Sequence, residues 1–139
     1  MNKTELQSRL ASIDLFQGVP KRALKKVVSA GRETNHTDGH EVITEGGGAV
    51  GFHLITSGQA RVTTGGAVRR TLGVGDYFGE ISVIDGQPRS ASVEAVGELS
   101  TFLIQPHVFK TVLDENPEVA RRVLVLLCRR LREAELRTG

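Results

Sequence analysis

Apolar positions along the chain change their period twice. Near the N-terminus Leu6, Leu10, Ile13 and Leu15 or Phe16 recur at near-helical spacing, which predicts a first helix over residues 4–16. Gly18 ends it. Pro20 then suits the first position of a second helix, because the N–H it lacks has no partner there anyway. Ala23, Leu24, Val27 and Val28 give that helix an apolar face, with Lys21, Arg22, Lys25 and Lys26 on its solvated side. From Gly31 the period is two. Residues 41–44, 52–55, 60–63, 67–72 and 100–104 read as strands, punctuated by Gly39, Gly46 to Gly48, Ser57-Gly58, Gly73, Gly75 and Gly97. Gly65-Gly66 between two of them predicts a two-residue hairpin turn, which needs positive φ at both central positions. Many short strands with glycine turns predict a mainly β fold, a barrel or jelly roll, over about residues 31–105.

After Gln105-Pro106 the helical period returns. Val108, Phe109, Val112 and Leu113 make one short face. Asn116-Pro117-Glu118 reads as a helix start, with Asn as cap, Pro first and an acid in the first turn. The last helix then runs to about residue 137 with two apolar faces. One is Ala120, Leu124, Leu127, Leu131 and Ala134; the other is Val119, Val123 and Leu126, continuing to Arg130. A helix apolar on two sides predicts burial on both, one against the barrel and the other against a second protomer or a further domain.

Composition narrows the class. A chain of 139 residues is one domain by length, and 39% hydrophobic with 24% charged residues is ordinary for a globular protein. The net charge of +2 is too small to argue for nucleic acid. The single cysteine, Cys128, permits no internal disulfide, sits on a helix face and reads as core. The N-terminus has no signal-like apolar run, and the run from Val123 to Cys128 is too short for a bilayer, so a cytoplasmic location is expected.

The chemistry concentrates in residues 76–93, DYFGEISVIDGQPRSASV. Phe78-Gly79-Glu80-Ile81-Ser82 leads from a strand into what reads as one helical turn, where Gly79 admits close backbone approach. The N–H groups of Ile81, Ser82 and Val83 would face an anion. Glu80 either favours the helix start as an acid or accepts hydrogen bonds from a sugar hydroxyl. Arg89 offers a planar fork of donors that matches phosphate, or pairs with Asp85 or Asp76. Ser90 and Ala91 add a hydroxyl and backbone N–H groups beside it.

At these residues the sequence resembles the cyclic nucleotide-binding domain family. Phe-Gly-Glu-aliphatic-small-aliphatic, a spacer, then Pro-Arg-Ser-Ala-Ser-Val is similar to that family's phosphate-binding cassette, here Phe78 to Val93. Ser82 and Ser92 stand where Ala and Thr are common. Leu15 to Val19, Thr44-Glu45-Gly46, Ile55 to Gly58 and Leu72 to Asp76 resemble its flanking motifs. The resemblance covers about residues 10–132. It implies a jelly-roll barrel with N-terminal helices, a C-terminal helical lid and a 3′,5′-cyclic nucleotide inside. Glu80 and the Gly79 backbone match the ribose 2′-hydroxyl contacts, and Arg89 the phosphate anchor. Ile81, Ser82 and Ala91 match backbone contributors, and Ser90 a hydroxyl near the phosphate. Val62 and Val74 are candidates for the wall against the base. No aromatic residue follows Phe109, which rules out an aromatic lid from the last helix. The lid position resembles Arg130, whose other reading is a cation favouring the helix C-terminus.

These residues imply a regulatory sensor with no catalytic group, metal or cofactor beyond the nucleotide. Ser90 favours cAMP, with cGMP as the alternative. Binding would move the hinge around Phe109 to Leu113 and close the last helix. No output sequence follows Arg137, so a stand-alone sensor or an excised regulatory domain is expected, acting on an effector domain or protein outside this chain, with a homodimer through the last helix as a further partner. The competing class is a cupin-like metal enzyme on the same shape, using His36, His40, His53 or His107. Its His-x-His spacing is absent, and scattered histidines read as surface by default. A decayed, non-binding cassette is countered by intact Glu80 and Arg89.

Overall fold

The computed structural model describes residues 2–44, 46, 51–79 and 91–138. α1 (Lys3–Ser12) is capped by the Asn2 side chain, which accepts from the Glu5 N–H at 2.8 Å. A single 3-10 turn (Asp14–Phe16) follows, so the first helix stops short of the expected Phe16. α2 (Lys21–Ala30) starts directly after Pro20. The sheet comprises β1 (Arg32–His36), β2 (Glu41–Ile43), β3 (Phe52–Thr64), β4 (Ala67–Leu72), β5 (Tyr77–Phe78) and β6 (Ser92–Ile104). α3 (Pro106–Glu115) and α4 (Pro117–Thr138) close the chain.

The described strands form a six-stranded antiparallel sheet ordered β1-β6-β3-β4, with β2 on β6 and β5 on β3. The expected hairpin is present. Thr64 pairs with Ala67, and Gly65 and Gly66 take φ of +57° and +81°. Ser57-Gly58 and Gly97, expected as turns, lie instead inside the long strands β3 and β6. Gly58 has φ +85°, and a Cβ there would run into the Glu98 carbonyl oxygen. Only glycine fits that close approach.

The irregularity just before Gly58, between Ile55 and Ser57, has a structural effect. The pairing of β3 with β6 shifts between Ile55, Ser57 and Gln59. Side chains in a strand alternate faces, so a one-residue slip exchanges them. Before the bulge the interior takes His53 and Ile55; after it the interior takes Ala60 and Val62.

Two apolar clusters result. One fills the barrel with Ile43, Ile55, Ala60, Val62, Leu72, Phe78, Val93, Ala95 and Leu99. The other joins the helices to the outer wall of the sheet, and includes Leu10, Phe16, Val27, Phe52, Leu54, Phe102, Phe109, Val119 and Val123. The rings of Phe16, Phe52 and Phe109 meet at centroid distances of 5.7–5.8 Å.

α4 buries Val119 and Val123 in this second cluster, with Leu126 partly buried against it. Of its other face, Leu127 also packs partly buried against that cluster, while Leu124 is 64% and Leu131 61% exposed. Cys128, expected in the core, is exposed because it lies off the Val119–Val123 stripe. Asn116 also departs from expectation. Its Nδ2 donates to the Val112 carbonyl at 2.9 Å, so the side chain caps the end of α3 rather than the start of α4. No helix among the described residues is long and apolar enough to cross a membrane.

Candidate functional site

The approach to the Phe78–Val93 segment is built from a tight turn and a two-residue strand. At the turn the Asp76 carboxylate accepts from the Gly73 N–H at 2.8 Å, and Gly75 takes φ +92°. The Ile55 N–H donates to the Asp76 carbonyl at 2.9 Å and fixes the turn to β3. β5 then pairs Tyr77 with Leu54 and Phe78 with His53. Alternation sends the two aromatic rings to opposite faces.

Phe78 goes inward. It is 2% exposed and lies flat on the His53 ring, with centroids 4.8 Å apart and planes 7° from parallel. Gly79 follows with φ +92°, a conformation that favours glycine and turns the backbone out of the strand. Val62 is 7% exposed in the interior cluster, across from Val93 on β6. Ala91 packs partly buried against the same cluster. These residues make an apolar wall beside the Gly79 corner. Val74 is 50% exposed on the approach turn and belongs to neither cluster. Glu80, Ile81, Ser82, Arg89 and Ser90 lie outside the described residues.

Tyr77 goes outward, and its role was not foreseen. Its ring stacks on Phe52 at 5.3 Å. Its hydroxyl donates to Asp14 Oδ1 at 2.6 Å and accepts from Arg130 Nη2 at 2.6 Å. The Arg130 guanidinium carbon lies 5.5 Å from the Tyr77 ring centroid, within cation–π range. One phenol thus joins the 3-10 turn, β5 and α4. A hydroxyl that donates to a carboxylate while accepting from a cation is polarised in the favourable sense at both ends. Arg130 is on the docked face of α4, as expected, and partly buried. Its described partner is Tyr77, next to Phe78. Tyr77 is the sole tyrosine, but nothing local in the sequence links it to Asp14 or Arg130.

The histidines are not uniformly on the surface. His53 is 2% exposed. His36 and His40 stack at 5.1 Å, and burial first, then the neighbouring His40 charge, lowers the His36 pKa below 6.5. Among the described residues no group of three or more His, Cys, Asp or Glu side chains is placed to hold a metal ion. Arg61 and Glu94 pair at 2.7 Å across β3 and β6, and their partial exposure makes this a small contribution.

Residues 33–116 match the sequence model of the cyclic nucleotide-binding domain. The chain belongs to the cyclic nucleotide-binding domain family. This domain is 32% identical over 127 residues to the cyclic AMP receptor protein of Thermus thermophilus, covering 88% of this chain and 59% of that protein. It is similar in structure to the regulatory domain of Toxoplasma gondii PKA, solved with cAMP. The TM-score is 0.78 at 26% identity, over 94% of this chain and 50% of that one. The sensor domain of the regulator DNR from Pseudomonas aeruginosa shares the fold. Its TM-score is 0.86 at 20% identity, over 95% of this chain and 92% of that one. The domain spans less than two thirds of the length of the first two of these relatives. Matching solved domains bear out the jelly-roll fold expected from the strand pattern.

Proposed function

We propose that this domain senses a 3′,5′-cyclic nucleotide, cAMP in preference to cGMP, and passes the binding signal on through α4. The observation that carries the reading is the corner at Phe78-Gly79. Phe78 is sunk into the barrel, and Gly79 turns the backbone at the point where the family motif begins. In this reading the Gly79 backbone and Glu80 take the ribose 2′-hydroxyl, and Arg89 pairs with the phosphate. The N–H groups of Ile81, Ser82 and Ala91 surround the phosphate, with the Ser90 hydroxyl beside it. The base would rest on Val62, with Val74 at the rim. Among relatives, a cyclic AMP receptor protein and a domain solved with cAMP support cAMP, while cGMP-dependent protein kinases keep cGMP as the alternative.

Arg130 serves here as the lid residue, since it already reaches β5 beside the motif. A nucleotide with different affinities for two positions of α4 shifts the balance between them by that difference. The role is sensing rather than catalysis. The output would come from an effector outside this chain. The open face of α4, with Leu124, Val125 and Leu131 each at least 52% exposed, is the surface we assign to a second copy. Calorimetric titration with cAMP and cGMP in parallel tests the reading. Binding of cAMP at least as tight as cGMP is expected; binding of neither would overturn it.

A further inference from the structure

A row of polar side chains runs from the surface of the sheet to the ring beneath Phe78. His36 Nε2 lies 3.0 Å from Thr34 Oγ1. Thr34 Oγ1 lies 2.6 Å from Thr101 Oγ1, and Thr101 Oγ1 lies 2.7 Å from His53 Nδ1. Neighbouring strands build the row. β1 carries His36 and Thr34, β6 carries Thr101 opposite Thr34, and β3 carries His53. The inner end is dry, with Thr101 0% and His53 2% exposed. At the outer end His36 is half-buried and stacked on His40.

Counting hydrogens constrains this row. Its three contacts need three hydrogens, and two hydroxyls supply two. One imidazole N–H must therefore enter, from His53 Nδ1 at the inner end or from His36 Nε2 at the outer end. Each hydroxyl donates once. Whichever ring supplies the third hydrogen thus sets the direction of both hydroxyls and makes the other ring an acceptor. When His36 is charged, both its nitrogens carry hydrogen and its end must donate. A hydrogen retained on His53 Nδ1 would then be a fourth in a row with three places.

We propose that His36, Thr34, Thr101 and His53 form a proton-operated switch, in which charging His36 at the surface changes the tautomer of the buried His53 beneath Phe78. With His36 neutral, His53 Nδ1–H donates to Thr101, Thr101 to Thr34, and Thr34 to His36 Nε2. One proton from solvent then occupies His36 Nε2. Both hydroxyls turn, Thr101 donates to His53 Nδ1, and the His53 hydrogen moves to Nε2. His53 is neutral in both states, so the uptake is one proton, held on His36.

The groups facing His36 are His40 from the loop before β2, His53 from β3, and Glu98 of β6, which lines the same shallow groove as Asn35 and Thr37. Burial and the His40 charge both oppose a charge on His36, which places the change on the acid side of its ordinary range. His53 lies flat against Phe78, so the switch alters the electrostatics directly under the first residue of the cassette. It operates whatever the cassette binds.

The test is two-bond proton–nitrogen NMR of the full chain labelled with 15N-histidine, from about pH 8 to about pH 5, the range in which imidazoles charge. His53 is expected to pass from the Nδ1–H to the Nε2–H pattern with the same midpoint as the charging of His36. In Thr34→Val the row is cut, so His36 still titrates while His53 keeps one pattern; Thr34→Ser should restore the coupling. If Thr34→Val disturbs the fold, His36→Gln gives the same test, because His53 should then show no change over the range. A constant His53 pattern in the wild type, a His53 that itself becomes charged, or an unaltered response in the variants overturns the proposal.

Discussion

Replacing Tyr77 by phenylalanine removes one oxygen and isolates what it holds. The ring remains, so the stacking on Phe52 and the face offered to Arg130 are kept. Two hydrogen bonds to charged partners are lost, each 2.6 Å long. Bonds of that kind contribute about 1.5–3 kcal/mol apiece. Asp14 is exposed and Tyr77 and Arg130 are only partly buried, which brings the pair towards the ~0–1 kcal/mol of surface interactions. A loss of about 1–2 kcal/mol is the working figure, a factor of roughly 5–30 in an equilibrium.

The loss should fall on the opening of α4 rather than on the barrel, because the Tyr77 hydroxyl is a bonded link from β5 to Arg130. Amide hydrogen exchange in the second half of α4 should speed up by that factor, while β3 and β6 keep their protection. A spin label on Cys128, the sole cysteine and exposed on α4, gives an independent reading of helix mobility. In a double-mutant cycle Tyr77→Phe and Arg130→Ala should fall short of additivity by at least about 0.5 kcal/mol. Additive effects, or unchanged exchange in Tyr77→Phe, would refute the view that this hydroxyl holds the helix.

Other expectations are more direct. Arg89→Ala should weaken cyclic nucleotide binding by roughly 2–5 kcal/mol, the range for truncating one partner of a buried charge pair; equal affinity by calorimetry would remove the phosphate assignment. Gly58→Ala should cost about 1–3 kcal/mol from backbone strain alone, with the overlap on Glu98 added, read as a lower urea midpoint. His36 has a folded pKa below its ordinary 6.5, so the unfolded chain binds more protons in that window. Its contribution to stability is therefore complete above pH 6.5 and lost as the pH falls through the lowered value; His36→Gln should flatten that part of a stability–pH curve. Leu124→Glu with Leu131→Glu should leave cAMP binding intact and abolish self-association in light scattering, if α4 is the dimer surface.

The strands were legible where β-branched and apolar residues cluster between glycines, even where, as in β4, only Leu72 is buried. β4 was read at its bounds from Ala67 to Leu72, and Gly65-Gly66 as its turn. β1 was missed because Arg32–His36 has no apolar residue on either face, leaving no alternation to find. Ser57-Gly58 looked like a turn because a glycine needed for a bulge and one needed for a reversal are identical in sequence. His53 sits among Phe52, Leu54 and Ile55, and that setting was the available sign of its burial. Cys128 was misplaced because α4 is apolar on more faces than it docks. The link of Asp14, Tyr77 and Arg130 spans nearly the whole chain, and no periodicity reports a contact at such separation. The motif itself was readable because its residues are adjacent.

The bulge between Ile55 and Ser57, just before Gly58, lets a single strand answer to two masters. Upstream, Phe52 and Leu54 grip the helices while Ile55 faces the barrel interior; downstream, Ala60 and Val62 face that interior. The downstream stretch contributes to the interior cluster alone, so it can be recut without retuning the grip. Enlarging Val62 would reshape the interior wall on which we propose the base rests, while the helical seat stays as it is. A designer seeking altered ligand preference would work downstream of this glycine, and one seeking a stiffer or looser relay would work upstream.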